Sequence, residues 1–168
     1  MATETHPYHW AARLSRAAGG TGQPHAAFHA FDELCAEIFG HRLFTILAWE
    51  AGADEVERVY SSRPQEYPMS ARKRMGPTPW GALVLGSGRS WLGASAEDMR
   101  WAFPDHELIA ALGCAACINS PVSWNGAVLG AINVLDAADA YRPSDLEALE
   151  AISGFLVGPL LATKSQQP

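Results

Sequence analysis

The chain has 168 residues, a length that suits one domain with a self-sufficient core. Its net charge of −6 argues against a general nucleic-acid surface, which needs basic excess. No apolar run approaches the roughly 20 residues of a membrane span, and Met1 to Trp10 lacks the basic start and apolar core of a secretory signal.

Residues 1–22 read as a leader. Tyr8 to Ala18 suits a short helix with Trp10 and Leu14 at i, i+4, broken by Gly19-Gly20-Thr21-Gly22. Such a leader either packs on the body or a second subunit, or frays. A helix is expected from Pro24 to Phe39, because Ala27, Phe31, Leu34, Cys35 and Ile38 recur at helical spacing and Gly40 suits the residue after its end. His25 and His29 lie at i, i+4, a metal-chelating spacing, but no Asp, Glu or Cys is placed to complete a site. The reading favours solvated or packed histidines and no metal.

Arg42 to Trp49 and Val56 to Ser61 read as strands joined by a turn over residues 50–54. A long connection follows, punctuated by Pro64, Pro68, Gly76, Pro77 and Pro79. It contains Arg72-Lys73-Arg74, read as a solvated loop cluster in preference to an anion site. A helix beginning at Pro77 or Thr78 puts Trp80, Leu83 and Val84 on one face, and Gly86-Ser87-Gly88 ends it. Arg89 to Leu92 reads as a short strand. Ser95 caps a helix to Trp101, and Pro104-Asp105 starts another that Gly113 closes.

Residues 113–136 hold two apolar runs joined by Asn125-Gly126, a dipeptide that tolerates the positive φ angles of a tight hairpin turn. Neither run carries a charge before Asp136, so both faces should be covered, as at a sheet centre. Counting back from Trp124 opposite Ala127, Ile118 faces Asn133, Ser120 faces Ala131 and Asn119 faces Ile132. The two asparagines then point to opposite sides. The small-residue side, with Ser120 and Asn133, is the preferred pocket floor. A last helix follows Arg142-Pro143, with Ser144 and Glu147 at capping-box spacing. Leu146, Leu149, Ile152, Phe155 and Leu156 form its core face, and Pro159 ends or bends it. The fold class is therefore α+β. An antiparallel sheet should carry the terminal helices on one face and a helical insert on the other, with room for a ligand beneath the insert.

The hairpin Ile118-Asn119-Ser120-Pro121-Val122, its turn at Gly126, and Val128 to Leu135 resemble the terminal signature of GAF domains, a sensory fold close to PAS. Tyr141-Arg142-Pro143-Ser144-Asp145 and the amphipathic helix after it resemble that family's ending. The resemblance divides the chain into a leader (1–22), a GAF domain (23–162) and a tail (163–168). It implies a homodimer joined through terminal helices and a pocket for a small molecule of unknown identity. No further domain follows in this sequence, so the expectation is either signalling to a separate partner or direct action on the ligand. No nucleic acid or membrane partner is expected, and a cytoplasmic location is.

Trp80, Trp91 and Trp101 crowd the insert, with Asp105 and His106 beside them. Trp lines pockets as well as cores, so these five, with Ser120 and Asn133, are the candidate ligand-binding residues. The alternative function is a thiol-dependent enzyme resembling free methionine-(R)-sulfoxide reductase, a stand-alone GAF protein. That enzyme draws its cysteines from the mobile insert and a following strand, within a run rich in acidic residues, whereas here no Cys lies between Tyr60 and Cys114. Cys35, Cys114 and Cys117 fit packing positions as small hydrophobes, and no catalytic residue is assigned.

Overall fold

The computed structural model describes residues 8–165, so residues 1–7 of the leader and 166–168 of the tail lie outside the described residues. The elements are α1 (His9–Gly19), α2 (His25–Ile38), β1 (Leu43–Glu50), β2 (Glu55–Ser61), β3 (Lys73–Arg74), a π-helical segment (Gly81–Gly86), β4 (Trp91–Gly93), α3 (Ala96–Ala102), α4 (His106–Ala111), β5 (Ala116–Trp124), β6 (Ala127–Asp136), α5 (Pro143–Ser153), a 3₁₀ turn (Gly154–Leu156) and α6 (Val157–Ser165). The strands form one antiparallel sheet in the order β3-β2-β1-β6-β5-β4. The hairpin therefore sits near the sheet centre, and the fold is the α+β arrangement expected.

Alternation along the strands divides the sheet into two faces. Phe44 and Ile46 of β1, with Ile132 and Val134 of β6, meet Phe28, Phe31, Leu34 and Cys35 of α2. Leu149, Ile152, Leu156 and Leu160 of the last helices complete this core. It also contains a polar cluster. The Asp32 carboxylate pairs with His41 Nε2 at 2.8 Å and accepts from the Tyr60 hydroxyl at 2.7 Å, which joins α2 to the segment leading into β1 and to β2. Leu43, Thr45 and Leu47 of β1 and Asn133 and Leu135 of β6 face the other way, under the insert.

The expected hairpin register requires correction. Asn125 and Gly126 form the turn at φ 50° and 78°, and Trp124 pairs with Ala127. Beyond Ser123–Val128, however, Val122 pairs with Gly130, which leaves Leu129 as a bulge. The extra residue shifts every later pair by one. Asn119 therefore faces Asn133, the two share a face, and Ser120 pairs with Ile132 toward the terminal helices. Gly130 is required beside the bulge, because a Cβ there would overlap the Leu47 carbonyl oxygen on β1. A second bulge, at Val59 of β2, sends Arg58 and Tyr60 to opposite faces of the sheet, since Leu47 pairs with Arg58 while Ile46 pairs with Tyr60.

The C-terminal helices differ from expectation in three ways. Arg142 N donates to the Asp145 carboxylate at 2.8 Å, so the cap forms on Arg142 and not on Ser144. Of the two outcomes expected at Pro159, an end to the helix is not found; the chain tightens into the 3₁₀ turn just before it and continues to Ser165. The resulting helical stretch has 23 residues, and its most apolar 18-residue window has a mean hydropathy of 1.4, apolar enough by length and composition to cross a membrane. Here its Leu149, Ile152, Leu156 and Leu160 recur at helical steps and are buried against the sheet. Phe155, expected on that core face, is exposed and meets Trp10 of α1 edge-on at 5.7 Å.

Candidate functional site

A cavity of about 230 Å³ lies between the sheet and the insert. Leu43, Leu47, Val56 and Leu135 make its floor apolar, and Trp80, Ala102, Phe103 and Ile109 supply the roof. Two polar side chains, Thr45 and Asn133, sit on the central strands within that apolar lining. The mouth, toward the β2–β3 edge, carries Arg58, Tyr67, Ser70, Lys73 and Arg74, with Asp105 opposite on the insert.

The polar groups on the floor form a chain across three strands. The Trp80 indole N–H donates to Asn119 Oδ1 at 3.2 Å, Asn119 Nδ2 donates to Asn133 Oδ1, and Asn133 Nδ2 donates to Thr45 Oγ1 at 3.0 Å. Asn119 Oδ1 also accepts from the Cys117 thiol at 3.2 Å. The Leu129 bulge makes this chain geometrically feasible, since without it the asparagines would lie on opposite faces. Asn119 is fully buried behind the lining, while Trp80, Asn133 and Thr45 border the cavity. The Thr45 hydroxyl accepts at one end of the chain and retains its own proton to donate to a bound group.

The mouth is a second cluster. Arg58 Cζ stands 3.8 Å from the centre of the Tyr67 ring, and Arg58 Nη1 donates to the Pro68 carbonyl at 2.7 Å. The Tyr67 hydroxyl donates to Asp105 Oδ2 at 2.6 Å. Burial pushes the Tyr67 phenol up, and the Asp105 carboxylate adds to that, so Tyr67 stays a protonated donor. Asp105 occupies the N-cap position of α4 but makes no side-chain cap bond; its carboxylate turns to Tyr67 instead.

Of the seven residues singled out from sequence, Trp80, Asp105 and Asn133 border the cavity. The other four do not. Trp91 on β4 packs against Trp101 at 5.2 Å and Phe103 at 6.5 Å, outside the lining, and Trp101 is 45% exposed. His106 begins α4 and does not line the cavity. Ser120 lies on the opposite face of the sheet, its hydroxyl directed to the Pro121 carbonyl at 3.3 Å. Sequence reasoning did not single out Thr45, Arg58 or Tyr67. Arg58 lies in a strand that also carries Glu55 and Glu57, so nothing local marks it out, and Tyr67 is brought in by the irregular loop after β2.

None of the three thiols lines the cavity, although Cys114 and Cys117 pack against residues that do. Cys114 and Cys117 pack with Met99, Ile109 and Leu135 in a satellite core, and Cys35 is in the main one. Burial pushes Cys114 up to about 11, and it raises Cys35 and Cys117 as well. A buried thiol that resists ionisation is a poor nucleophile. His25 and His29 stack at 6.5 Å, with His29 Nδ1 3.2 Å from the Tyr60 hydroxyl, and among the described residues no three His, Cys, Asp or Glu side chains are grouped to hold a metal ion.

Neither a family model nor a curated protein matches the chain. Solved structures do match in fold. The GAF domain of a phosphoenolpyruvate-protein phosphotransferase from Coxiella burnetii aligns with a TM-score of 0.70 at 10% identity, over 94% of this chain and 94% of that one. The GAF domain of the phosphotransferase from Acinetobacter also gives 0.70, at 13% identity over 95% of each chain. Free methionine-R-sulfoxide reductase from Neisseria meningitidis, solved in complex with its substrate, gives 0.68 at 16% identity, over 94% of this chain and 89% of its own.

Proposed function

The chain has the GAF-domain fold, and from that premise we propose that it is a sensory or regulatory module that binds a small molecule between sheet and insert. The cavity is the observation that carries this reading. It is about 230 Å³, smaller than the roughly 300–1,000 Å³ usual for small-molecule sites. It combines an apolar body with a few directed polar groups, the composition expected of a specific ligand site. Occupancy would be felt by Trp80, whose indole is tied through Asn119 and Asn133 to the central strands. The exposed Phe155 and Leu161 of the terminal helices are the surface through which we expect a homodimer, and the occupied state would be read by a separate partner.

A metabolite panel followed by thermal shift and tryptophan fluorescence tests the reading. A ligand should raise Tm, and Ala102→Leu, which fills the roof of the cavity, should abolish that rise while leaving the protein folded. A ligand whose effect survives Ala102→Leu binds elsewhere and would sink the proposal.

The alternative is a thiol enzyme, as the fold likeness to the Neisseria reductase allows. The burial and raised pKa values of Cys114 and Cys117 weigh against it. Dithiothreitol-dependent reduction of free methionine-(R)-sulfoxide, lost in a Cys114→Ser, Cys117→Ser double variant, would reverse this preference.

A further inference from the structure

The mouth of the cavity carries charge opposite in sign to that of the protein. The whole chain has a net charge of −6, yet three cations, Arg58, Lys73 and Arg74, border the cavity against one carboxylate, Asp105. Lys73 pairs with Val56, so it shares the cavity face of the sheet with Val56 and Arg58. Arg72, one residue earlier, is taken up by Glu55 and Glu57. Among the described residues neither Lys73 nor Arg74 has an ion-pair partner.

Arg58 is held in place but under-used. Its side chain is 14% exposed and lies against the Tyr67 ring. A guanidinium offers five N–H donors in a rigid plane. Nη1 donates to the Pro68 carbonyl, whereas Nε is buried and has no partner among the described residues. Nη2 stands 3.9 Å from Asp105 Oδ2, beyond hydrogen-bond reach. The nearest carboxylate is committed to the Tyr67 hydroxyl at 2.6 Å. A largely buried cation short of acceptors gains more from an incoming anion than a solvated one does. The planar guanidinium also matches a planar carboxylate better than it matches a point charge.

The volume limits the rest of the ligand. A cavity of about 230 Å³, below the roughly 300–1,000 Å³ usual for small-molecule sites, suits a small body such as one ring or a short branched chain. That body would rest on Leu43, Leu47 and Leu135 beneath Trp80 and Phe103.

We propose that the cavity selects a small organic carboxylate with an apolar or aromatic body, its anionic head held by Arg58 and Lys73 at the mouth. This rests on the reading of the cavity as a ligand site. The head draws Arg58 from its loose approach to Asp105, so binding alters the contact between β2 and the start of α4.

Phenylacetate, its neutral isostere phenylacetamide and the cation 2-phenylethylamine test the proposal on the full chain, by tryptophan fluorescence and amide-resonance titration. The acid should bind about 10–100-fold more tightly than the amide, the range a charge-assisted hydrogen bond supplies, and the amine should bind weakest. In Arg58→Gln the preference should fall to within about threefold, the acid losing far more affinity than the amide. Lys73→Gln, at an exposed edge where folding is not at stake, should reduce the preference and weaken its dependence on salt. Equal binding of acid and amide, or a preference that survives both substitutions, would overturn the carboxylate assignment while leaving the cavity a ligand site. Binding of none of the three at millimolar concentration would overturn the ligand site as well.

Discussion

The two faces of this sheet are built from alternate residues of the same strands and put to different uses. Phe44 and Ile46 of β1 point into a filled core against α2 and the terminal helices, while Leu43, Thr45 and Leu47 point into a space. The elements above that space are short: α3 has seven residues and α4 six, against fourteen for α2. Short helices cannot cover a sheet continuously, so an opening beneath them is a natural consequence. Polar groups follow the same division. On the helix face, Asp32 is satisfied from both sides by His41 and Tyr60 and closes on itself. On the insert face, the chain from Trp80 to Thr45 ends at a hydroxyl with a proton still to give, and Arg58 has donors unspent. One face is filled and its polar groups are closed on one another; the other leaves a space and unspent donors, which is what the proposed ligand site draws on.

Neighbouring substitutions on β1 give the most direct way to break this comparison. Ile46→Ala removes a fully buried side chain from the filled face, and its loss should cost about 3–5 kcal/mol in urea denaturation. Leu47→Ala, one residue on, borders empty space already and has fewer partners to lose, so about 2 kcal/mol is expected. Equal costs would mean that the insert packs as tightly as the helices and that the cavity is not open in solution.

How far the sequence reveals this difference depends on the distance over which each signal acts. The helices, the Asn125-Gly126 turn and the apolar hairpin are local patterns, and they appear where spacing predicts. The register is not local. It turns on one unpaired residue, Leu129, whose only trace in sequence is Gly130 inside a strand, a position where glycine signals a bulge. Missing it places Asn119 and Asn133 on opposite faces and sends Ser120 to the wrong one. Trp80 and Asn133 could be singled out because a large aromatic in an insert and an amide in an apolar strand are unusual where they stand. Trp91 and Trp101 carry the same local signal but satisfy each other outside the lining. Arg58 and Tyr67 form a site only because the chain returns after nine residues to lay the ring against the cation, a meeting no local pattern encodes. The two-residue strand β3, which brings Lys73 to the mouth, is fixed by pairing with β2 and lies within a loop by composition.

The floor of the cavity sharpens the comparison at intermediate scale. Asn119→Ala leaves the Trp80 indole N–H, the Cys117 thiol and the Asn133 carbonyl without their partner, so a loss of about 1–3 kcal/mol is expected. Phe at position 80 has no N–H to strand. In a Trp80→Phe background Asn119→Ala should therefore cost about 1 kcal/mol less than in the parent chain. Additive effects in this double-mutant cycle would show that the indole bond contributes nothing and that Trp80 is held by packing alone.

The smallest effect concerns the cysteines and appears only in alkali. Burial raises Cys114 to about 11, so between the ordinary thiol range near 9 and that value the folded state keeps a proton that the unfolded chain has lost. Stability must fall with rising pH wherever the native state binds more protons. The contribution is nil at neutral pH, and the loss should begin above about pH 9. Cys35 on the helix face and Cys117 behind the cavity floor are shifted in the same direction by the same burial. Alkylation separates the two faces. If all three thiols are packing groups, iodoacetamide at pH 8 should label them together, at the rate of global unfolding. Rapid labelling of Cys114 or Cys117 with Cys35 protected would mean that the insert opens far enough to expose a thiolate. The insert face would then be a place for thiol chemistry as well as binding.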